Sequence, residues 1–124
     1  MGRMGARKVV DVEFCGESYG IALVGHRYAE TGGLAVEAVD VAEPWETWAM
    51  LTVNLAGVPG FDAWAASGPG RVALDADCPD ELVGALEAAG ALELPGRSVG
   101  CGFGTYRLAK VAAWALSAPG EGEA

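Results

Sequence analysis

The chain has 124 residues, 52% of them apolar and 20% charged, which is enough for one hydrophobic core without staples and excludes an intrinsically disordered chain. Eight Lys and Arg stand against seventeen Asp and Glu, a formal net charge of −9. Direct binding to DNA, RNA or an anionic membrane is disfavoured, because such partners need a basic surface that displaces counterions from phosphates.

Residues 1–7 (MGRMGAR) read as a frayed basic lead and 117–124 (SAPGEGEA) as a tail with nothing to bury. Both are expected to be flexible around a single domain at 8–116. Val10, Val12 and Phe14 alternate with Asp11 and Glu13, the period-two mark of a half-buried strand. Gly16-Glu17-Ser18 supplies turn chemistry, and Tyr19, Ile21 and Leu23 resume the alternation, which predicts a hairpin. A loop at about Glu30–Gly33 precedes a third strand through Leu34, Val36 and Ala38. Beyond Glu43-Pro44, a strand from Trp48 to Leu55 places Leu51, Val53 and Leu55 on one face and Thr52 and Asn54 on the other. Short connections favour antiparallel neighbours, since a parallel crossover needs a dozen residues or more.

Residues 56–70 (AGVPGFDAWAASGPG) read as a long loop pinned by Phe61 and Trp64, with room for one helical turn. Arg71 to Asp75 is a short strand carrying Val72 and Leu74 inward. A helix is predicted over about 79–90. Asp77 or Cys78 serves as N-cap, Pro79 lies just inside, and Asp80 and Glu81 favour the positive end of the dipole. Leu82, Val83, Leu86 and Ala89 make its apolar stripe, and Gly90 its stop. ALEL at 91–94 is strand-like, and so is 103–109. Residues 110–116 read as either strand or helix, and from Lys110 onward the Ala-rich composition favours helix. The predicted class is α+β: a mainly antiparallel twisted sheet of about five or six strands, with the 79–90 helix on one face.

Several strings in this order resemble a family of small bacterial proteins known as domain of unknown function 4313. They are Tyr28-Ala29, Gly32-Gly33 and Leu34-Ala35; Leu51 to Leu55; Asp75, Asp77 and Pro79; and Gly102, Phe103, Thr105, Tyr106 and Leu108. The likeness spans roughly 12–110. Ala56-Gly57 replaces the family's Pro-Asp-like turn, and Arg107 stands where proline is frequent. The resemblance implies an accessory protein of gut bacteria or of their plasmids and conjugative elements, and brings no activity with it.

Candidate chemistry is sparse. His26, the sole histidine, lacks any nucleophile motif beside it and reads as structural or solvated. Asp75, Asp77 and Asp80 have an attractive spacing for calcium, but the EF-hand pattern needs Gly at position six and Glu at position twelve, where Asp80 and Leu86 stand. Helix capping accounts for them better. Cys15, Cys78 and Cys101 are odd in number and far apart, without a Cys-x-x-Cys, so they read as reduced thiols of a cytoplasmic protein. Gly100, Gly102 and Gly104 invite a phosphate loop, yet they precede a strand and read as a bulge or close approach. No apolar run nears the ~18 residues of a membrane span.

The candidate binding residues are Thr52 and Asn54, with Tyr106 and Thr105 if the last strand lies near, then Asp75 and Asp77, and finally Trp45 and Trp48, which flank a loop. No catalytic residue, metal or cofactor is expected. The leading expectation is a non-enzymatic accessory or protein-interaction domain with a protein partner, and an exposed strand edge could pair two copies. The rivals are an acidic nucleic-acid mimic, as in anti-restriction or nuclease inhibition, and a small-ligand-binding or hydrolytic domain.

Overall fold

The computed structural model describes residues 8–43, 46–102 and 104–117. Expectations for residues 1–7, for 118–124, for Trp45 and for Phe103 lie outside them. Strand β1 (Val10–Phe14) buries Val10 and Val12 and exposes Asp11 and Glu13, as the alternation requires. It turns into β2 (Glu17–Arg27) through Cys15 and Gly16, whose φ angles are 54° and 83°. Two successive positive φ values match the right-handed twist of a tight hairpin. Glu17 and Ser18, expected in the turn, are therefore strand residues, and Phe14 pairs with Glu17. Ile21 and Leu23 face the main core, but Ala22 and Val24 are buried too, in a small cluster with Val39 on the opposite face.

Next come β3 (Leu34–Asp40), β4 (Thr47–Met50) and β5 (Thr52–Val53). The predicted 48–55 strand is thus interrupted at Leu51. Thr52, placed on the polar face by alternation, is buried, with 3% of its surface exposed. The segment read as a loop contains helix α1 (Pro59–Ala66). Pro59 opens it at a position where the missing N–H costs nothing, and Trp64 anchors it. The Trp64 indole N–H donates to the carbonyls of Val72 and Ala109, at 3.2 and 3.3 Å.

Strand β6 (Arg71–Leu74) leads to helix α2 (Asp80–Ala88). Its N-cap is Pro79, not Asp77 or Cys78, and no side chain caps it. The Asp75 carboxylate instead accepts the Asp77 N–H at 2.8 Å, holding the turn before the helix. Leu82, Val83 and Leu86 are buried as predicted, each of which contributes about 1.5–3 kcal/mol. Ala89 lies past the last turn and is exposed, and Gly90 ends the helix with φ of 79°.

The chain closes with β7 (Leu92–Glu93), β8 (Ser98–Cys101), β9 (Gly104–Val111), a 3-10 turn at Ala113–Ala115 and β10 (Leu116–Ser117). Strand β8 was not anticipated, and Gly100, Gly102 and Gly104 belong to the β8–β9 hairpin, in which Cys101 pairs with Gly104. No helix follows those glycines, so the phosphate-loop geometry is missing. Of the two readings of 110–116, strand and helix, the structure takes strand pairing on either side of the 3-10 turn, and the helix favoured by composition does not form. Val111 pairs with Leu92, and Leu116 and Ser117 pair with Leu23 and Val24. Tertiary pairing overrides the modest helical preference of alanine.

The result is an α+β fold with mostly antiparallel strands, distributed over two sheets of five. The first runs β1-β2-β3-β4, with β10 parallel to β2. The second runs β5-β6-β9-β7, with β8 also on β9. Helix α2 packs on both β1 and β7 and closes the main core, where Leu23, Val36, Leu51, Leu74, Leu82 and Leu86 meet. Helix α1 covers a second cluster of Leu55, Trp64, Ala73 and Leu108 on the other face of the second sheet. No helix of the described residues is long and apolar enough to cross a membrane.

The sheets are joined at two consecutive residues. The Leu51 N–H donates to Val36 O at 3.0 Å in the first sheet, and Leu51 O accepts from the Asp75 N–H at 2.9 Å beside the second. The Thr52 hydroxyl oxygen then accepts the Val36 N–H at 3.0 Å and shares a hydrogen bond with the Tyr28 hydroxyl, also at 3.0 Å. Thr52→Val keeps the shape but leaves a buried N–H without an acceptor. Chemical denaturation should show a loss of about 1–3 kcal/mol, against about 0.5–1.5 kcal/mol for Tyr28→Phe.

Candidate functional site

Of the residues singled out in the sequence, the structure gathers Trp48, Asp75 and Asp77. They line a shallow depression of about 310 Å³ with Ala49, Met50 and Pro79. Trp48 is half-buried, its ring edge-on to Phe14 with centroids 5.6 Å apart and tilted against Tyr19 at 5.3 Å. It is a packing residue rather than a free anchor. Asp75 is occupied by the Asp77 main chain.

The polar groove imagined around Thr52, Asn54 and Tyr106 does not form. Thr52 pairs with Leu74 and serves the main core, whereas the row Val53, Ala73, Leu108 lies on the opposite face of the sheet. Tyr106, two residues from Leu108, packs with that second group. The Asn54 carboxamide oxygen accepts the Ala56 N–H at 3.1 Å and fixes the local turn. Thr105 is exposed on β9, paired with Gly100. These residues support the fold, each in its own place.

His26 projects from the outer face of the first sheet by the same alternation that carries Ala22 and Val24. Its Nε2 bonds one Glu37 carboxylate oxygen, and the Thr47 hydroxyl donates to the other. A carboxylate held between an imidazole and a hydroxyl is a cross-strand tie. It is not the order of a nucleophilic relay, in which the histidine stands between the other two groups. Among the described residues, no group of three or more His, Cys, Asp or Glu comes together in a way that could hold a metal ion.

The larger concavity, about 550 Å³, was not foreseen. It opens where both sheets contribute walls. Arg27 and Leu34 come from β2 and β3, Pro69 and Gly70 from the entry to β6, and Gly90 and Glu93 from the chain after α2. Lys110 through Ala113 and Leu116 complete the wall. Leu34 and Leu116 give it an apolar lining, while Arg27, Lys110 and Glu93 supply charge. Trp114, in the turn that provides Ala113 to the wall, is 47% exposed.

Gly70 shapes this cleft. Its φ is 75°, its carbonyl accepts the Val111 N–H at 2.7 Å, and a Cβ there would stand 2.4 Å from Val111 O. Only glycine allows β9 to approach so closely. Nothing local in the sequence ties Arg27 to Lys110 or Gly70 to Val111. Those neighbourhoods arise from the pairing of distant strands.

Cys78 is buried before α2, and its thiol is pushed up to about 11, mainly by burial and also by the charges of Asp75 and Asp80, against the opposing charge of Arg107. A thiol so far above neutrality stays protonated and unreactive. Cys15, at the hairpin tip, is exposed.

Two outcomes follow from these contacts. Gly70→Ala should cost about 1–3 kcal/mol in denaturant unfolding, from backbone strain and the steric conflict with Val111 together. Under native conditions at neutral pH, iodoacetamide should modify Cys15 and leave Cys78 untouched until the chain is unfolded, as peptide mass mapping will read out. Comparison with family models, curated proteins and solved structures gave no match to this chain.

Proposed function

We propose that this chain is a non-enzymatic accessory domain that binds a small molecule in the cleft between its two sheets. The observation that carries this reading is the 550 Å³ concavity with an apolar lining and few charged groups. Its volume falls within the roughly 300–1,000 Å³ of small-molecule sites. Binding is favoured over chemistry because the polar residues that could act are committed elsewhere. Thr52 and Asn54 hold backbone groups, Asp75 holds a turn, and His26 is tied to Glu37 away from the cleft.

A role in protein contact is the second reading, and Trp114 favours it. A large aromatic side chain left about half exposed is the kind of residue that anchors interfaces. That contact lies beside the cleft rather than at Trp48, whose packing against Phe14 and Tyr19 removes it as a free anchor. Nucleic-acid mimicry finds less support. Asp11 and Glu13 on β1 and Glu37 on β3 share the outer face of the first sheet, but Glu81 and Glu87 lie on α2 and Glu93 on β7, in other parts of the fold. Kinship with the accessory proteins named above remains part of this proposal, resting on the short strings alone.

A fragment screen followed by amide nitrogen–proton correlation spectra tests the leading reading. Bound fragments should shift Leu34, Gly70, Gly90, Val111 and Ala112. Leu34→Trp, which fills the space, should abolish those shifts while the fold persists. Shifts confined to the Trp48 depression, or none at millimolar fragment, would refute the assignment.

A further inference from the structure

From the charges around the same cleft we infer that its ligand is an amphipathic monoanion: an apolar body carrying one carboxylate or similar head group. The inference rests on the binding role proposed above and adds the ligand's chemistry. The described residues contain six cationic side chains, at Lys8, Arg27, Arg71, Arg97, Arg107 and Lys110, and fifteen carboxylates. Two of those cations line the cleft and only one of the carboxylates, Glu93, does. In a chain of net charge −9 the local balance is inverted. An anion repelled by the rest of the surface finds attraction here.

The strand register sharpens the point. Lys110 on β9 lies opposite Arg71 on β6 and opposite Glu93 on β7. Lys110 thus has one positive and one negative neighbour in that row. Like charges directly across a pair are unfavourable, and Arg71 turns its guanidinium onto Trp64, 4.9 Å from the ring centroid. Its Nε is buried without a hydrogen-bond partner among the described residues. Lys110 is among the residues that line the cleft. Across the opening, Arg27 makes a single long contact with Gly32 O at 3.5 Å, and neither cation forms an ion pair with a described carboxylate. Two cations without a carboxylate partner beside Leu34 and Leu116 match a head group and an apolar body, respectively. A polyanion is a poorer match, because Glu93 stands in the same wall.

Isothermal titration at neutral pH with three probes of one apolar length, octanoate, octanamide and octyltrimethylammonium, reads the preference directly. Octanoate should bind about tenfold or more tightly than octanamide, as expected for a charge-assisted contact, and added salt should weaken octanoate alone. Arg27→Gln with Lys110→Gln should bring octanoate and octanamide to within about twofold, while Lys8→Gln leaves the preference intact. Thermal unfolding of each variant verifies folding, and Arg27→Gln alone, at an exposed side chain, provides the same test if the double variant is unstable. Equal binding of the three probes, with shifts at the cleft, would overturn the monoanion and leave the binding site standing. A preference for the cationic probe would do the same. No binding by any of them at millimolar concentration would overturn both.

Discussion

The structure depends on one crossing, at Leu51 and Thr52. Two sheets that share no regular strand must be held in register by something. Here Val36 has its carbonyl satisfied by the Leu51 N–H and its own N–H satisfied by the Thr52 hydroxyl. A side chain thereby completes a ladder that the backbone abandons when it leaves one sheet for the other. In a site this buried an unmet N–H is costly, and an aliphatic residue of the same shape could not replace the oxygen. The Leu51 carbonyl meanwhile receives Asp75, which aligns β6 and everything paired to it.

From that junction the remaining architecture follows by ordinary burial. Once the sheets are joined, their inner faces need a cover, and α2 supplies it with Leu82, Val83 and Leu86 between β1 and β7. The outer face of the second sheet needs another cover, and α1 supplies it with Trp64. The cleft is the remaining gap, where the walls belong to both sheets and a glycine lets β9 come close. Its positive groups lie there because the register of β6, β7 and β9 brings Lys110 to its edge. No sequence motif places them there.

Much of the fold was legible because it is local. Alternation at Val10–Phe14 and the stripe of Leu82, Val83 and Leu86 are properties of neighbouring residues, and both appear where the pattern places them. Thr52 was misplaced because alternation assumes a polar exterior, whereas a hydroxyl can be buried when a main-chain donor awaits it. The α1 segment was obscured by its glycines and prolines, which mark turns in isolation but here frame two helical turns fixed by a buried indole. The end of the chain stayed ambiguous between strand and helix for the opposite reason. Alanine prefers helix weakly, and strand partners far back in the sequence outweighed it. The cleft was invisible because all of its walls depend on such distant pairings.

The last strand bears on how the molecule forms as it is synthesised. Hairpin β1–β2 and its neighbour β3 can pair early, since their contacts are local and such contacts close quickly. The parallel partner of β2 is β10, supplied from the far end of the described chain. Until Leu116 and Ser117 emerge from the ribosome, Leu23 and Val24 present an unpaired rim to the cell. That interval is when a neighbouring nascent chain could add to the sheet, so the closing residues also guard against mispairing between copies.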